Sequence, residues 1–211
     1  MKNPLTYLFA TLLLSCPAAL LADEEWTLLF DGQTTEGWTP RAEVVSFEAV
    51  NGELRILSEK NVWIVTDLEM SDFIVEAEVK LPATARETGF NSGLAFRCQG
   101  EKGKPKGYQC EIDLGKPGGV FGIGLGGWLY PAKGEEAQYK KRIADHWKPT
   151  DWNHLRVVCQ GPRIQTYVNG QLITDIEDEQ SLSGYFGIQH HGKGGVVAFR
   201  NLRVKSLVQE E

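Results

Sequence analysis

The ten residues DFIVEAEVKL, at 72–81, set Phe73, Val75, Ala77 and Val79 against Ile74, Glu76, Glu78 and Lys80 at alternating positions. A period of two is that of a β-strand, whose successive side chains point to opposite faces. The pattern recurs along the chain. HLRVVCQ (154–160) and RIQTYVNGQLI (163–173) are rich in β-branched residues and are joined by Gly161-Pro162, with Asn169-Gly170 placed for a tight hairpin turn. GYFGIQHH and VVAFRNLRVKSL carry the pattern towards the C-terminus. No twelve-residue window shows a good helical apolar period; EEAQYKKRIADHW (135–147) has the content for a helical turn within a solvated loop. Parallel sheets need crossover helices, and these are missing. The sequence therefore predicts an all-β chain, an antiparallel β-sandwich with a jelly roll as its leading form.

Residues 1–22 form a separate object. Lys2 precedes an apolar run, Leu5 to Leu14, too short for an ordinary membrane span, and Ala22 stands before the acidic Asp23, Glu24 and Glu25. This is the layout of a secretory signal peptide cleaved after Ala22. Leu13-Leu14-Ser15-Cys16 also resembles the box before a lipidated cysteine, so an anchored form through Cys16 is a second processing route. Both routes place the protein outside the cytoplasm, secreted or periplasmic. Nothing downstream is apolar enough for a transmembrane segment. Residues 23–211, in a chain with 42% apolar content, suffice for one domain. A net charge of -6 argues against nucleic acid as a partner.

After the leader come Cys98, Cys110 and Cys159, without the spacing of a structural zinc site. GLAFRCQ (93–99) and GYQCEID (107–113) both alternate and flank a Lys/Gly-rich connection. Paired antiparallel with Cys98 opposite Cys110, they place Arg97 opposite Glu111 and Ala95 opposite Asp113. That register predicts a Cys98–Cys110 disulfide on the core side, with Cys159 reduced and buried. It puts Arg97, Glu111 and Asp113 on the other side. Glu76 and Glu78, and likewise Gln189 and His191, share one side of their own strands. If these sides line one sheet, a cluster suited to acid–base work on a polar substrate results. An ordinary cross-strand ion pair between Arg97 and Glu111 is the plainer alternative.

WTLLFDGQTTEGW (26–38), DFIVEAEV, NSGLAFR, GYQCEID, DWNHLRVVCQGPRIQTYVNGQLI and GYFGIQHHGKGGVVAFRNLRVKSL, in that order, resemble a large bacterial family of secreted β-sandwich proteins, the 3-keto-disaccharide hydrolases. The resemblance covers nearly the whole chain after the leader. It implies a concanavalin A-like jelly roll acting on sugars oxidised to a ketone at C3. Arg97, Glu111, Asp113, Asn153, Gln189, His191 and Arg200 fall where the family motifs carry recurring polar residues, and Tyr130 matches a further family position.

A ketone at C3 acidifies the C2 hydrogen, so a base, an oxyanion partner and an acid suffice to expel the C1 group. Glu111 or His191 suits the base, Arg97 the oxyanion, and Asp113 the acid. Asp113 and Glu78 are alternatively oxygen ligands for Ca2+ or another divalent metal. Trp128 and Trp147 are candidates for stacking on a sugar ring, whereas Trp26, Trp38 and Trp152 read as packing residues. His190 and His191 are adjacent, so in a strand they face opposite ways and one of them is structural. The glycines of GKPGGVFGIGLGG lack the Gly-Lys-Ser/Thr and following helix of a nucleotide loop. Two functions follow: a hydrolase or lyase for 3-keto-glycosides, and a non-catalytic carbohydrate-binding or cell-surface module. Both take a carbohydrate as partner.

Overall fold

The structure is a computed structural model that describes residues 26–207. The expected signal peptide and the alternative lipid anchor at Cys16 both fall outside the described residues. In chain order the first strands are β1 (Thr27–Leu28), β2 (Trp38–Pro40), β3 (Ser46–Val50), β4 (Glu53–Leu57), β5 (Val62–Met70) and β6 (Phe73–Lys80). The short helix α1 (Ala85–Thr88) precedes β7 (Ser92–Gln99), β8 (Lys106–Ile112), β9 (Val120–Ile123) and β10 (Gly127–Tyr130). Helix α2 (Glu136–Ile143) then leads to β11 (Asn153–Gln160), β12 (Arg163–Val168), β13 (Gln171–Glu177), β14 (Gly184–His190) and β15 (Val197–Ser206). Two antiparallel sheets result. The first runs β13-β12-β11-β6-β15-β4-β3 with β1 beside β15, and the second runs β10-β9-β8-β7-β14-β5-β2.

The predicted sandwich and its turns are present. Asn169 and Gly170 have φ of 49° and 85°, the left-handed pair that a two-residue hairpin turn between β12 and β13 demands. Phe73, Val75, Ala77 and Val79 are fully buried between the sheets, as the alternation of β6 requires. The helical turn expected within 135–147 is α2, which lays Tyr139 and Ile143 on the core one turn apart. Trp38 is also a packing residue; its Nε1 donates to the Leu29 carbonyl at 2.6 Å. Among the described residues, no helix is long and apolar enough to cross a membrane.

The register of β7 on β8 departs from expectation. Leu94, not Cys98, faces Cys110, and Gly93 faces Glu111. Beyond Phe96 the ladder breaks: Phe96 pairs with Tyr108 and Gln99 with Lys106, so Arg97 and Cys98 together face Gly107 alone. This is a β-bulge, with Arg97 at φ 48°. A Cβ at Gly107 would stand 2.6 Å from the Arg97 carbonyl oxygen, so the bulge needs glycine there.

One extra residue reverses the faces that follow it. Cys98 joins Trp63, Val65, Ala95, Ile123 and Tyr185 on the outer face of the second sheet, while Cys110 stays in the core. The predicted Cys98–Cys110 disulfide is therefore absent, and Cys98, Cys110 and Cys159 are free thiols. Cys159 is buried, and burial pushes its thiol up to about 12. Arg97 moves the other way, into the interior. Its Nε and Nη2 donate to the Ser71 carbonyl at 2.9 and 2.6 Å, and Nη2 lies 3.3 Å from the Asp72 carboxylate. Asp72 in turn accepts the Gly161 N–H at 2.9 Å, so Arg97 secures two turns at one end of the sandwich.

Truncating this guanidinium would leave a void and two acceptors without their charged donor. Arg97→Ala should cost about 3 kcal/mol or more of unfolding free energy. Urea melts of the two proteins test this, and a loss below about 1 kcal/mol would deny Arg97 a structural role.

Candidate active site

The outer face of the second sheet carries a row of four residues on adjacent strands. Trp63 on β5 pairs with Gln189 on β14, Gln189 with Gly93 on β7, and Gly93 with Glu111 on β8. Gln109 stands one step along β8, opposite Ala95. Its side chain leans over Gly93, where an added Cβ would stand 2.1 Å from the Gln109 Cδ. A glycine in mid-strand thus provides the space for a glutamine to cross the row.

From that position Gln109 reaches three partners. Its Oε1 accepts Trp63 Nε1 at 3.2 Å, and its Nε2 donates to Glu111 Oε2 at 3.2 Å and to Gln189 Oε1 at 2.9 Å. Gln189 Nε2 donates onward to Asn61 Oδ1 at 2.8 Å, and Asn91 Nδ2 donates to Glu111 Oε1 at 2.5 Å. The amides thereby orient one carboxyl at the centre of the row. They lie in a pocket of about 250 Å³, whose walls include Trp63, Phe121, Trp128 and Lys104.

Glu111 is almost wholly buried. Burial first, and the nearby Asp113 charge second, push its carboxyl up to about 8, against the opposing effect of the Gln109 and Asn91 hydrogen bonds. His191 lines the same pocket, and its backbone N–H donates to the Asn91 carbonyl at 3.2 Å. Desolvation, then the Lys193 charge, hold its imidazole below the usual histidine range. His190 is the structural member of the pair: its ring packs edge-on against Phe90 and its Nδ1 accepts the Gly192 N–H at 2.9 Å. Asp113 sits just past β8, where Oδ1 accepts the N–H groups of Gly115 and Lys116 at 2.7 and 2.5 Å. It lines an adjoining pocket that also holds Asn91 and His191.

Of the residues proposed from sequence, Glu111, His191, Gln189 and Trp128 share the pocket and Asp113 borders it. Arg97 does not, because the bulge turns it inward. Glu76 and Glu78 belong to the first sheet. Glu76 lies among Arg156, Arg203 and His154, and Glu78 is paired with Arg200 at 2.5 Å. Glu78 and Asp113 therefore stand on different sheets and form no common metal site. Among the described residues, no group of three His, Cys, Asp or Glu side chains gathers as metal ligands. Arg200 also covers the Trp152 ring at 4.0 Å, so it is a surface residue of the first sheet.

Asn153 is fully buried beneath a turn, its amide bonding to Lys148, Asp151 and Asn169. Tyr130 belongs to the core, edge-on to Tyr139, with its hydroxyl accepting Arg142 Nη1 at 3.1 Å. Trp147 packs against the core from the loop after α2. Asn61, Trp63, Asn91, Lys104 and Gln109 were not anticipated as site residues. Gln109 was within reach, since it shares the side of Glu111 in the β8 alternation; Asn61 and Asn91 lie outside the strands and carry no periodic signal.

A family profile described as a 3-keto-alpha-glucoside-1,2-lyase-like domain matches residues 25–205, and the chain belongs to that family. A levanase from Bacillus sp. (strain L7) is 31% identical over 163 residues, 75% of this chain but 16% of the levanase. Among solved structures, a protein from Parabacteroides distasonis assigned as a glycosyl hydrolase superposes with a TM-score of 0.63 at 18% identity, covering 87% of this chain and 94% of its own. The carbohydrate-binding module CBM66 from Bacillus subtilis superposes with a TM-score of 0.61 at 20% identity, covering 81% of this chain and 96% of its own. Both share the β-sandwich fold.

Two measurements check this geometry. Gly93→Ala should displace the Gln109 amide and cost roughly 1–3 kcal/mol. The Trp63 indole N–H resonance, deprived of its acceptor, should shift upfield; an unmoved resonance would contradict the crossing glutamine. The second check concerns Glu111, which keeps its proton to about pH 8 when folded but loses it near 4.5 when unfolded. Stability linked to this carboxyl is thus lost as pH rises through that window and levels off above it. Relative to the parent, Glu111→Gln should gain roughly 4 °C or more in Tm between about pH 5 and pH 8. A difference independent of pH would place the carboxyl at its ordinary value.

Proposed function

We propose that the chain is a lyase or hydrolase of 3-keto-glycosides, with His191 as base and Glu111 as acid. The observation that carries this reading is a carboxyl held up to about 8 in the same pocket as a histidine held low. At neutral pH the histidine is free to accept a proton and the glutamic acid still has one to give. His191 takes the proton from C2 of the keto-sugar. The electron pair of that C–H bond forms C1=C2, and the C1–O bond breaks towards the leaving oxygen. Glu111 protonates that oxygen. The sugar product is an enone conjugated with the C3 ketone, and addition of water across C1=C2 completes hydrolysis. Lys104, a cation on the pocket wall, replaces Arg97 as the group that stabilises the enolate.

The aromatic walls formed by Trp63 and Trp128 also favour a second reading, a module that binds a sugar without turning it over. The similarity to a carbohydrate-binding module is consistent with it. The leader at residues 1–22 supports export in either case.

The two readings separate on a panel of 3-keto and unoxidised disaccharides. The lyase releases product from the oxidised members alone, with an enone absorbance or its hydrated product. Glu111→Gln should lower turnover by about 10²-fold or more. The parent's kcat/KM should fall above about pH 8, as Glu111 loses its proton, and fall again at acid pH as His191 gains one. Binding of oxidised and unoxidised sugars alike, with no product, establishes the module instead.

A further inference from the structure

Helix α2, the segment after it and the start of β13 frame a cavity of about 380 Å³, lined by Gln138, Lys141, Arg142, His146 and Gln171. None of these residues lines the Glu111 pocket. Three of them are basic and two are amides. No carboxylate takes part, in a chain whose net charge is -6. Cations in the last turn of a helix need no ligand, since they offset the partial charge at its carbonyl end. Lys140 and Lys141 alone are explained that way. His146 lies beyond the helix, and Arg142 reaches across to the Ile173 carbonyl of β13.

Arg142 is half-buried, and one of its nitrogens is committed. Nη1 donates to the Tyr130 hydroxyl at 3.1 Å and to the Ile173 carbonyl at 2.9 Å. Both hydrogens of Nη1 are thereby used. The guanidinium is held in place with its Nε–Nη2 edge unpartnered among the described residues. The same edge of Arg163 grips Asp175, whose two oxygens accept Nε and Nη2 at 2.8 Å each. Asp175 lies close enough to sense the Arg142 charge, but its oxygens are already engaged. Arg97, Arg156, Arg200 and Arg203 likewise each meet a carboxylate within 3.4 Å. Among the described residues, Lys141, Arg142 and His146 have no carboxylate at ion-pair distance.

We propose that this cavity is a second binding site, remote from the Glu111 pocket, and that it takes a sugar acid, the uronate residue of an acidic glycan. The open Nε–Nη2 edge of Arg142 grips the two carboxylate oxygens in parallel, and Lys141 adds a second positive charge. The sugar hydroxyls fall to the neutral groups. Gln171 donates Nε2 to the Leu172 carbonyl, so its Oε1 stays open to a hydroxyl. Gln138 offers both halves of its amide, and the His146 ring carries an N–H in either tautomer. The volume suits one sugar ring, at the lower end of the roughly 300–1,000 Å³ of small-molecule sites. The site is independent of what happens at Glu111 and holds under either reading of that pocket.

Methyl glucuronide (its C1 blocked as in a glycan), methyl glucoside and acetate are titrated in turn into the 15N-labelled protein. The glucuronide should move the amide resonances of 138–146 and of Gln171, and leave those of Gln109 and Glu111 in place. The glucoside, which lacks the carboxylate, and acetate, which lacks the ring, should each bind about tenfold more weakly or less. Lys141→Ala, a change at an exposed position, should weaken the glucuronide about tenfold. Arg142→Lys, which keeps the charge and loses the fork, should do the same. Still resonances at 138–146, equal affinity for the glucoside, or unchanged affinity in both variants overturns the site. Equal affinity for acetate overturns the sugar acid as its ligand. Shifts confined to Gln109 and Glu111 place the glucuronide in the first pocket and also count against it. No outcome depends on turnover, so this site and the lyase reading fail separately.

Discussion

Phe73 meets Phe186 edge-on at 4.8 Å and Phe96 at 6.3 Å, across the space between the two sheets. Each of these rings belongs to a strand, so its neighbours in sequence, Arg97 at the bulge excepted, are directed away from the core. Val75, Ala77 and Val79 continue one inner face and Leu94, Tyr108, Cys110 and Ile112 the other. With those positions committed to the core, Gln109, Glu111 and Gln189 must occupy the outer face of the second sheet. The polar row is a consequence of how the core packs. Its chemical character comes from the residues that then lie close together there.

Placement on a sheet has a cost that the site turns to use. Glu111 is surrounded by protein on a face that is only partly open, and the loss of water favours its protonated form. The amides beside it do not cancel that effect, but they fix where its two oxygens point. Gly93 is the enabling residue, because a side chain there would occupy the volume of Gln109. Rigidity of this kind is what the proposed proton transfer needs, since catalytic groups act only when held close to their productive geometry.

The outer face of the first sheet shows what the same residue types do beside cations, even where, as at Glu76, the carboxyl is buried. Glu76 is surrounded by Arg156, Arg203 and His154, and Glu78 by Arg200. Opposite charges compensate one another, and Trp152 and Trp26 lie beneath the Arg200 and Arg203 guanidiniums at 4.0 and 4.2 Å. Such a surface stabilises the sheet and offers no unpaired proton carrier. Alternation shows that Glu76 and Glu78 face outward, but it does not tell which of two outer faces they share.

The strands, their inward residues and the Asn169-Gly170 turn were legible in the chain, because a period of two and a turn dipeptide are local properties of consecutive residues. So was the shared side of Gln109 and Glu111. The register of β7 on β8 was not legible, nor was the reversal at Arg97, because a single bulge residue opposite Gly107 has no periodic signature and yet exchanges the faces of Arg97 and Cys98. That exchange removed both the disulfide and the arginine from the expected site. Asn61, Asn91 and Trp63 reached the site through pairing between strands far apart in sequence. Sequence by itself determined which side chains each strand sends to a common face. Only the tertiary structure decided which faces meet, since inter-strand register depends on long-range packing that no local pattern encodes.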